Sequence, residues 1–140
     1  GAQTTEGTTP EKENNLELAS LQEALEQYSI DAKVAPTWLP DGYVNKDVSV
    51  MNSPRERSIL AVYANNDTEL IISIRQTIGV EPEQIEKNDQ LLEVYCAGGV
   101  EYYIFSNTET LQAAWSIGEF ECGISGKITL EEMKAMIDSI

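Results

Sequence analysis

The chain has 140 residues, a formal net charge of −15 from 24 Asp or Glu against 9 Lys or Arg, and no His. That length suits one domain, its 41% apolar content supplies a core, and no apolar run approaches the roughly 18 residues needed to cross a bilayer. Without His there is no Ser-His or Cys-His dyad, no His-ligated zinc and no ordinary general base near neutral pH; the negative charge argues against nucleic acid and anionic lipid head groups.

Gly1 reads as the scar of a cleaved tag, and residues 2–14 (AQTTEGTTPEKEN) carry one Ala as their only apolar side chain. Burial by so polar a segment cannot offset the entropy of ordering it, so residues 1–14 are expected to form a flexible tether and 15–140 the domain. An upstream anchor is expected in the natural protein. From Asn15, Leu18, Leu21, Leu25 and Tyr28 recur at spacings of three and four, predicting a helix of three to four turns. Asn14 or Asn15 is placed at its N-cap, and Glu17 in its first turn complements the dipole. Pro36 requires the helix to have ended. The stretch Pro36-Thr37-Trp38-Leu39-Pro40-Asp41-Gly42-Tyr43 then combines fixed backbone, a turn and two large aromatics that favour burial.

The next eighty residues alternate with period two and are punctuated by turn residues, predicting three hairpins. These are 59–64 with 69–76, 91–96 with 100–105 about Gly98-Gly99, and 111–117 with 120–125 about Gly118-Glu119. Leu70, Ile72 and Ile74 share one face; so do Leu111, Ala113, Trp115 and Ile117, and Phe120, Cys122 and Ile124. Ser125-Gly126-Lys127 reads as a turn. Thr129 and Glu132 have the spacing of a capping box, after which Met133, Met136, Ile137 and Ile140 form a helical stripe. The predicted fold is α+β: a curved, mostly antiparallel sheet of about six strands with an N-terminal and a C-terminal helix packed on it.

Four constellations bear on chemistry. Glu119 and Glu121, two apart on a strand, would stand about 7 Å from each other on one face, a separation used by inverting glycosidases; the same alternation turns them to solvent, and no catalytic residue is assigned. Glu81, Glu83, Glu86 and Asp89 form an acidic loop without the ligand alternation of a calcium site, so no metal or other cofactor is assigned. Cys96 and Cys122 fit no zinc or CxxC spacing and, with the last two hairpins side by side, would sit two strands and about 10 Å apart, too far for a disulfide without strong curvature, so buried free cysteines are favoured. Among the aromatics, Tyr102 and Tyr103 must point to opposite faces. They are the candidate ligand or partner contacts.

Two strings carry a resemblance: P-T-W-L-P-D-G-Y at 36–43, and Leu111, Trp115, Gly118, Phe120, Ile124, Gly126, Ile128, Thr129, Glu132 with the closing Ile137-Asp138-Ser139-Ile140. Over roughly residues 34–140 the sequence resembles an uncharacterised domain family of Gram-positive bacteria, the extracytoplasmic C-terminal part of membrane-anchored proteins, some with anti-sigma-factor-like cytoplasmic heads. It is more distantly similar to the C-terminal domain of periplasmic sigma-factor regulators. Trp38, Pro40, Gly42, Tyr43, Trp115, Gly118 and Gly126 are its structural signature. The resemblance implies a non-enzymatic sensor or protein-interaction domain outside the cytoplasm, tethered to the membrane through an upstream segment, with a protein or peptide partner and a role in envelope-stress or sigma-factor signalling. A carrier domain for a lipid, glycan or peptide, in a groove between sheet and helix, is the alternative.

Overall fold

A computed structural model describes residues 16–31, 33–78, 90–107 and 109–140. The tether, the proposed Asn14 or Asn15 cap and the acidic loop lie outside the described residues. Helix α1 (Ala19–Gln27) is followed by strands β1 (Val44–Ser53), β2 (Glu56–Asn65), β3 (Thr68–Thr77), β4 (Gln90–Ala97), β5 (Val100–Asn107), β6 (Thr110–Ile117) and β7 (Phe120–Gly126), and by helix α2 (Leu130–Asp138). The strands form one antiparallel sheet in the order β1-β2-β3-β7-β6-β5-β4. Two meanders, β1-β2-β3 and β4-β5-β6-β7, are joined at the centre where β7 pairs with β3.

The three expected hairpins are present, each extended by a few residues, and a seventh strand, β1, precedes them. Ser125 and Gly126, expected in a turn, are the last two residues of β7. Two-residue loops connect the hairpins. Gly98 and Gly99 both have positive φ, 58° and 82°, as a type I′ turn requires, and Ala97 pairs with Val100 across it.

Within β2, β3, β5, β6 and β7 every second residue faces inward, and these residues share one core with both helices. Ile59, Ala61 and Tyr63 of β2, Leu70, Ile72 and Ile74 of β3, Ile104 of β5, Trp115 of β6 and Ile124 of β7 are almost fully buried there with Leu21, Leu39 and Met133. Removing each such aliphatic side chain from water stabilises the fold by about 1.5–3 kcal/mol. Tyr102 packs on Trp115 with ring centroids 5.0 Å apart and the rings tilted by 55°. Neither Tyr63 Oη nor Trp115 Nε1 has a hydrogen-bond partner among the described residues.

The helix ends follow local rules. α1 closes in a Schellman motif: Ile30 N donates to Leu25 O, Ser29 N donates to Glu26 O, and Ser29 takes a φ of 56°. At the other end Glu17 accepts from Asn45 N at 2.8 Å, tying α1 to β1. α2 starts with the expected capping box, Thr129 Oγ1 accepting from Glu132 N and Glu132 Oε1 accepting from Thr129 N. Between helix and sheet, the 36–43 segment buries Pro36, Leu39, Pro40 and Tyr43, while Trp38 is half-buried against the core.

Candidate functional site

The opposite face of the sheet has no helix packed on it among the described residues. Register determines what it displays. One transverse row reads Ser49, Leu60, Ser73, Gly123, Ala114, Tyr103 and Val94 across the seven strands. The next reads Asp47, Val62, Ile71, Ser125, Gln112, Phe105 and Leu91. Small side chains therefore fall together on the central strands, with larger apolar ones to either side.

The result is a trough of about 390 Å³, lined by Ser73, Ala114, Gly123 and the residues beside them. Its floor is low because Gly123 has no Cβ; one added there would lie 3.1 Å from Ser73 Oγ and 3.4 Å from Ala113 O. Leu60 lines the trough on the β2 side and Gln112 beside Ala114 on β6, with the Arg75–Glu121 pair at one end; Tyr103 and Val94 continue the same transverse row beyond it on β5 and β4. Leu60 and Val94 are 40% and 42% exposed, so this face leaves apolar surface in water. Along the same face toward the β2–β3 turn lies a second hollow of about 530 Å³, edged by Asp67, Glu69, Glu109 and Lys127.

The sequence-derived candidates fall as follows. Tyr103 stands on the outer face beside Ala114, in the row that crosses the trough, its hydroxyl donating to Glu101 at 3.1 Å. Tyr102 points the other way and is 2% exposed in the core; burial pushes its phenol up from the ordinary value. Glu119 and Glu121 are not strand neighbours on one face as expected, because β7 begins at Phe120 and Glu119 belongs to the turn. Each carboxylate holds a donor, Gln76 for Glu119 and Arg75 for Glu121. Cys96 and Cys122 are free, but only Cys122 is buried: Cys96 lies exposed on the outer face of edge strand β4, and the two are three strand steps apart rather than two, because β6 and β5 separate β7 from β4.

A smaller pocket of about 380 Å³ lies between the β4–β5 turn and the end of α2, lined by Ala97, Val100, Tyr102, Ile137 and Ile140 and edged by Lys33 and Asp138. Beside it Tyr95 Oη donates to Asp138 at 2.8 Å, and this bond raises the Tyr95 pKa. Lys134 pairs with Glu93 at 3.0 Å and lies over the Tyr95 ring. These contacts fasten α2 to edge strand β4. Among the described residues no three His, Cys, Asp or Glu side chains gather closely enough to hold a metal ion, and no helix is long and apolar enough to cross a membrane.

The signature residues serve the backbone and the core. Gly42 and Gly118 take φ values of 89° and 59°. A Cβ on Gly126 would lie 2.6 Å from Leu70 Cδ1. The trough itself escaped the sequence reading, since Ser73, Ala114 and Gly123 come from three strands and meet only through register.

A family model described as Domain of unknown function (DUF4367) matches residues 33–140. The match begins after α1 and takes in the whole sheet and α2. No curated protein matches the chain.

Proposed function

The chain belongs to the DUF4367 family of domains of unknown function, and from that premise we propose that it is a non-enzymatic, extracytoplasmic sensor or protein-interaction domain of a membrane-anchored protein. The observation that carries the reading is the outer sheet face, where a largely apolar trough runs over Ser73, Ala114 and Gly123 with no helix upon it among the described residues. A half-buried aromatic, Tyr103, beside exposed aliphatics is a composition suited to protein contact. The extracytoplasmic, anti-sigma-factor-like setting rests on the resemblance of residues 34–140, and so does the role in envelope-stress signalling.

Against catalysis stands the engagement of both candidate carboxylates, Glu121 with Arg75 and Glu119 with Gln76. The alternative of a small-ligand carrier draws support from the 380 Å³ pocket at the end of α2. The experiment places Ala114→Trp, which fills the trough, and Val100→Trp, which obstructs the smaller pocket, separately in the full-length protein and follows the transcriptional response to envelope stress. The sensor reading expects loss of the response with Ala114→Trp alone, at unchanged protein level. A response that survives Ala114→Trp and disappears with Val100→Trp would favour the carrier.

A further inference from the structure

We infer that the trough receives a basic amphipathic helix of a partner protein, lying along the central strands with its apolar stripe over Gly123. This inference rests on the interaction reading above and names the chemistry of the partner.

Dimensions support a helix. Leu60 on β2 and Tyr103 on β5 are separated by four strand steps, about 19 Å, with the small side chains of β3, β7 and β6 between them. A helix with its side chains is about 10–12 Å across and so fits between Leu60 and Tyr103. The low floor is the row Ser73, Gly123 and Ala114; Ser125 and Gln112 follow it on one side, and on the other Ser116 stands in register with Glu121, which Arg75 holds. Apolar anchors at helical spacing would settle on this floor, as in other helix-in-groove complexes.

Charge selects the partner. Asp47, Glu56, Glu69 and Glu101 stand on the outer face around the trough, and Arg75 on the same face is held by Glu121. The chain as a whole carries −15. An acidic helix would meet like charge on several sides, whereas Lys or Arg flanking an apolar stripe would find carboxylates at either margin.

The test uses two synthetic 18-residue helical peptides with the same Leu stripe at i, i+3, i+4 and i+7, one with Lys and one with Glu at the remaining positions. Fluorescence anisotropy measures binding to the wild-type chain, to Ala114→Trp and to a triple variant Asp47→Asn, Glu69→Gln, Glu101→Gln, each checked for an unchanged thermal midpoint. The expected result is binding of the Lys peptide, weakened at least about tenfold by Ala114→Trp and made less salt-sensitive by the triple variant. Binding of the Lys peptide that ignores Ala114→Trp would overturn the inference, because the attraction would then be diffuse. Binding of the Glu peptide that Ala114→Trp abolishes would overturn the basic partner while leaving the interaction reading intact. Self-association of the wild-type chain that Ala114→Trp dissolves would assign the trough to a second copy instead, and binding of phosphatidylcholine vesicles lost in that variant would assign it to lipid.

Discussion

Thr37 and Ser139, 102 residues apart, are joined by two hydrogen bonds, both donated by Thr37: Thr37 N donates to Ser139 Oγ at 2.9 Å, and Thr37 Oγ1 donates to Ser139 O at 2.7 Å. Ser139 Oγ also donates to Met136 O at 2.6 Å, capping the last turn of α2. The Pro-rich segment before the sheet is thereby locked to the helix after it. These are the two strings that carry the family resemblance, and the fold makes them one contact.

That contact gives a direct stability test. Ser139→Ala and Thr37→Val are each expected to cost about 0.5–1.5 kcal/mol, the usual net value of an intramolecular hydrogen bond. The variants remove different bonds of one contact, Ser139→Ala the bond from Thr37 N and Thr37→Val the bond to Ser139 O, and loss of either loosens the other, so the double variant should cost less than the sum of the singles. Urea unfolding of all four proteins measures the coupling, and strict additivity would show that the two residues act independently.

Ser29 holds a left-handed conformation that L side chains resist, at the position where a Schellman motif favours glycine. Ser29→Gly is therefore expected to stabilise the domain by about 0.5–1 kcal/mol, net of the added freedom of the unfolded chain. A lowered urea midpoint in this variant would mean that Ser29 makes a contact worth more than its strain.

Much of the fold was legible in the sequence because local chemistry dictated it. The Gly98-Gly99 turn, the Thr129 capping box and the alternation through Leu70, Ile72 and Ile74 each specify their element within a few residues. Strand β1 was missed for an equally local reason: in NKDVSVMNS only Val48 and Val50 are half-buried toward the core, and a bulge between Asn45 and Asp47 interrupts the alternation. The pairing of β3 with β7 joins residues about fifty positions apart with no turn between them, so no short-range pattern announces it. The trough is a product of that pairing, which sets Ser73 beside Gly123. In contrast, the opposite orientations of Tyr102 and Tyr103 followed from strand alternation alone.

Trp115 is fully buried, packed at a tilt against Tyr102, with its indole N–H unpartnered among the described residues. Trp115→Ala is expected to cost about 3–5 kcal/mol through lost transfer energy and the cavity left behind. Trp115→Phe should cost markedly less, since it keeps most of the apolar volume and removes the unsatisfied donor. Thermal and urea unfolding of the pair would test this ordering, and equal losses would imply that the N–H has a partner.

The thiols should separate by reactivity and by pH. Cys96 is exposed, whereas burial, with a lesser contribution from the Glu121 charge, pushes the Cys122 thiol far up. One thiol should therefore react promptly with a disulfide reagent and the other only on unfolding. Because the raised folded pKa means that the native state keeps a proton the unfolded chain loses above about pH 8.5, the Cys122 contribution is complete below that pH and is lost as pH rises. Burial of Tyr63 and Tyr102 adds losses of the same sign at higher pH. Cys122→Ala should thus flatten the decline in stability between about pH 8.5 and 10, by up to about 1.4 kcal/mol per pH unit. An unchanged slope would contradict the assignment.

The most direct test of the outer face as the interaction surface is a methyl NMR titration of the chain with the Leu/Lys peptide. The trough predicts progressive shifts at Leu60, Val62, Ile71, Val94 and Ala114, with Leu70, Ile72, Ile104 and Ile124 on the core face little changed. Shifts confined to Val100, Ile137 and Ile140 around the end of α2, or no shifts at all, would contradict it.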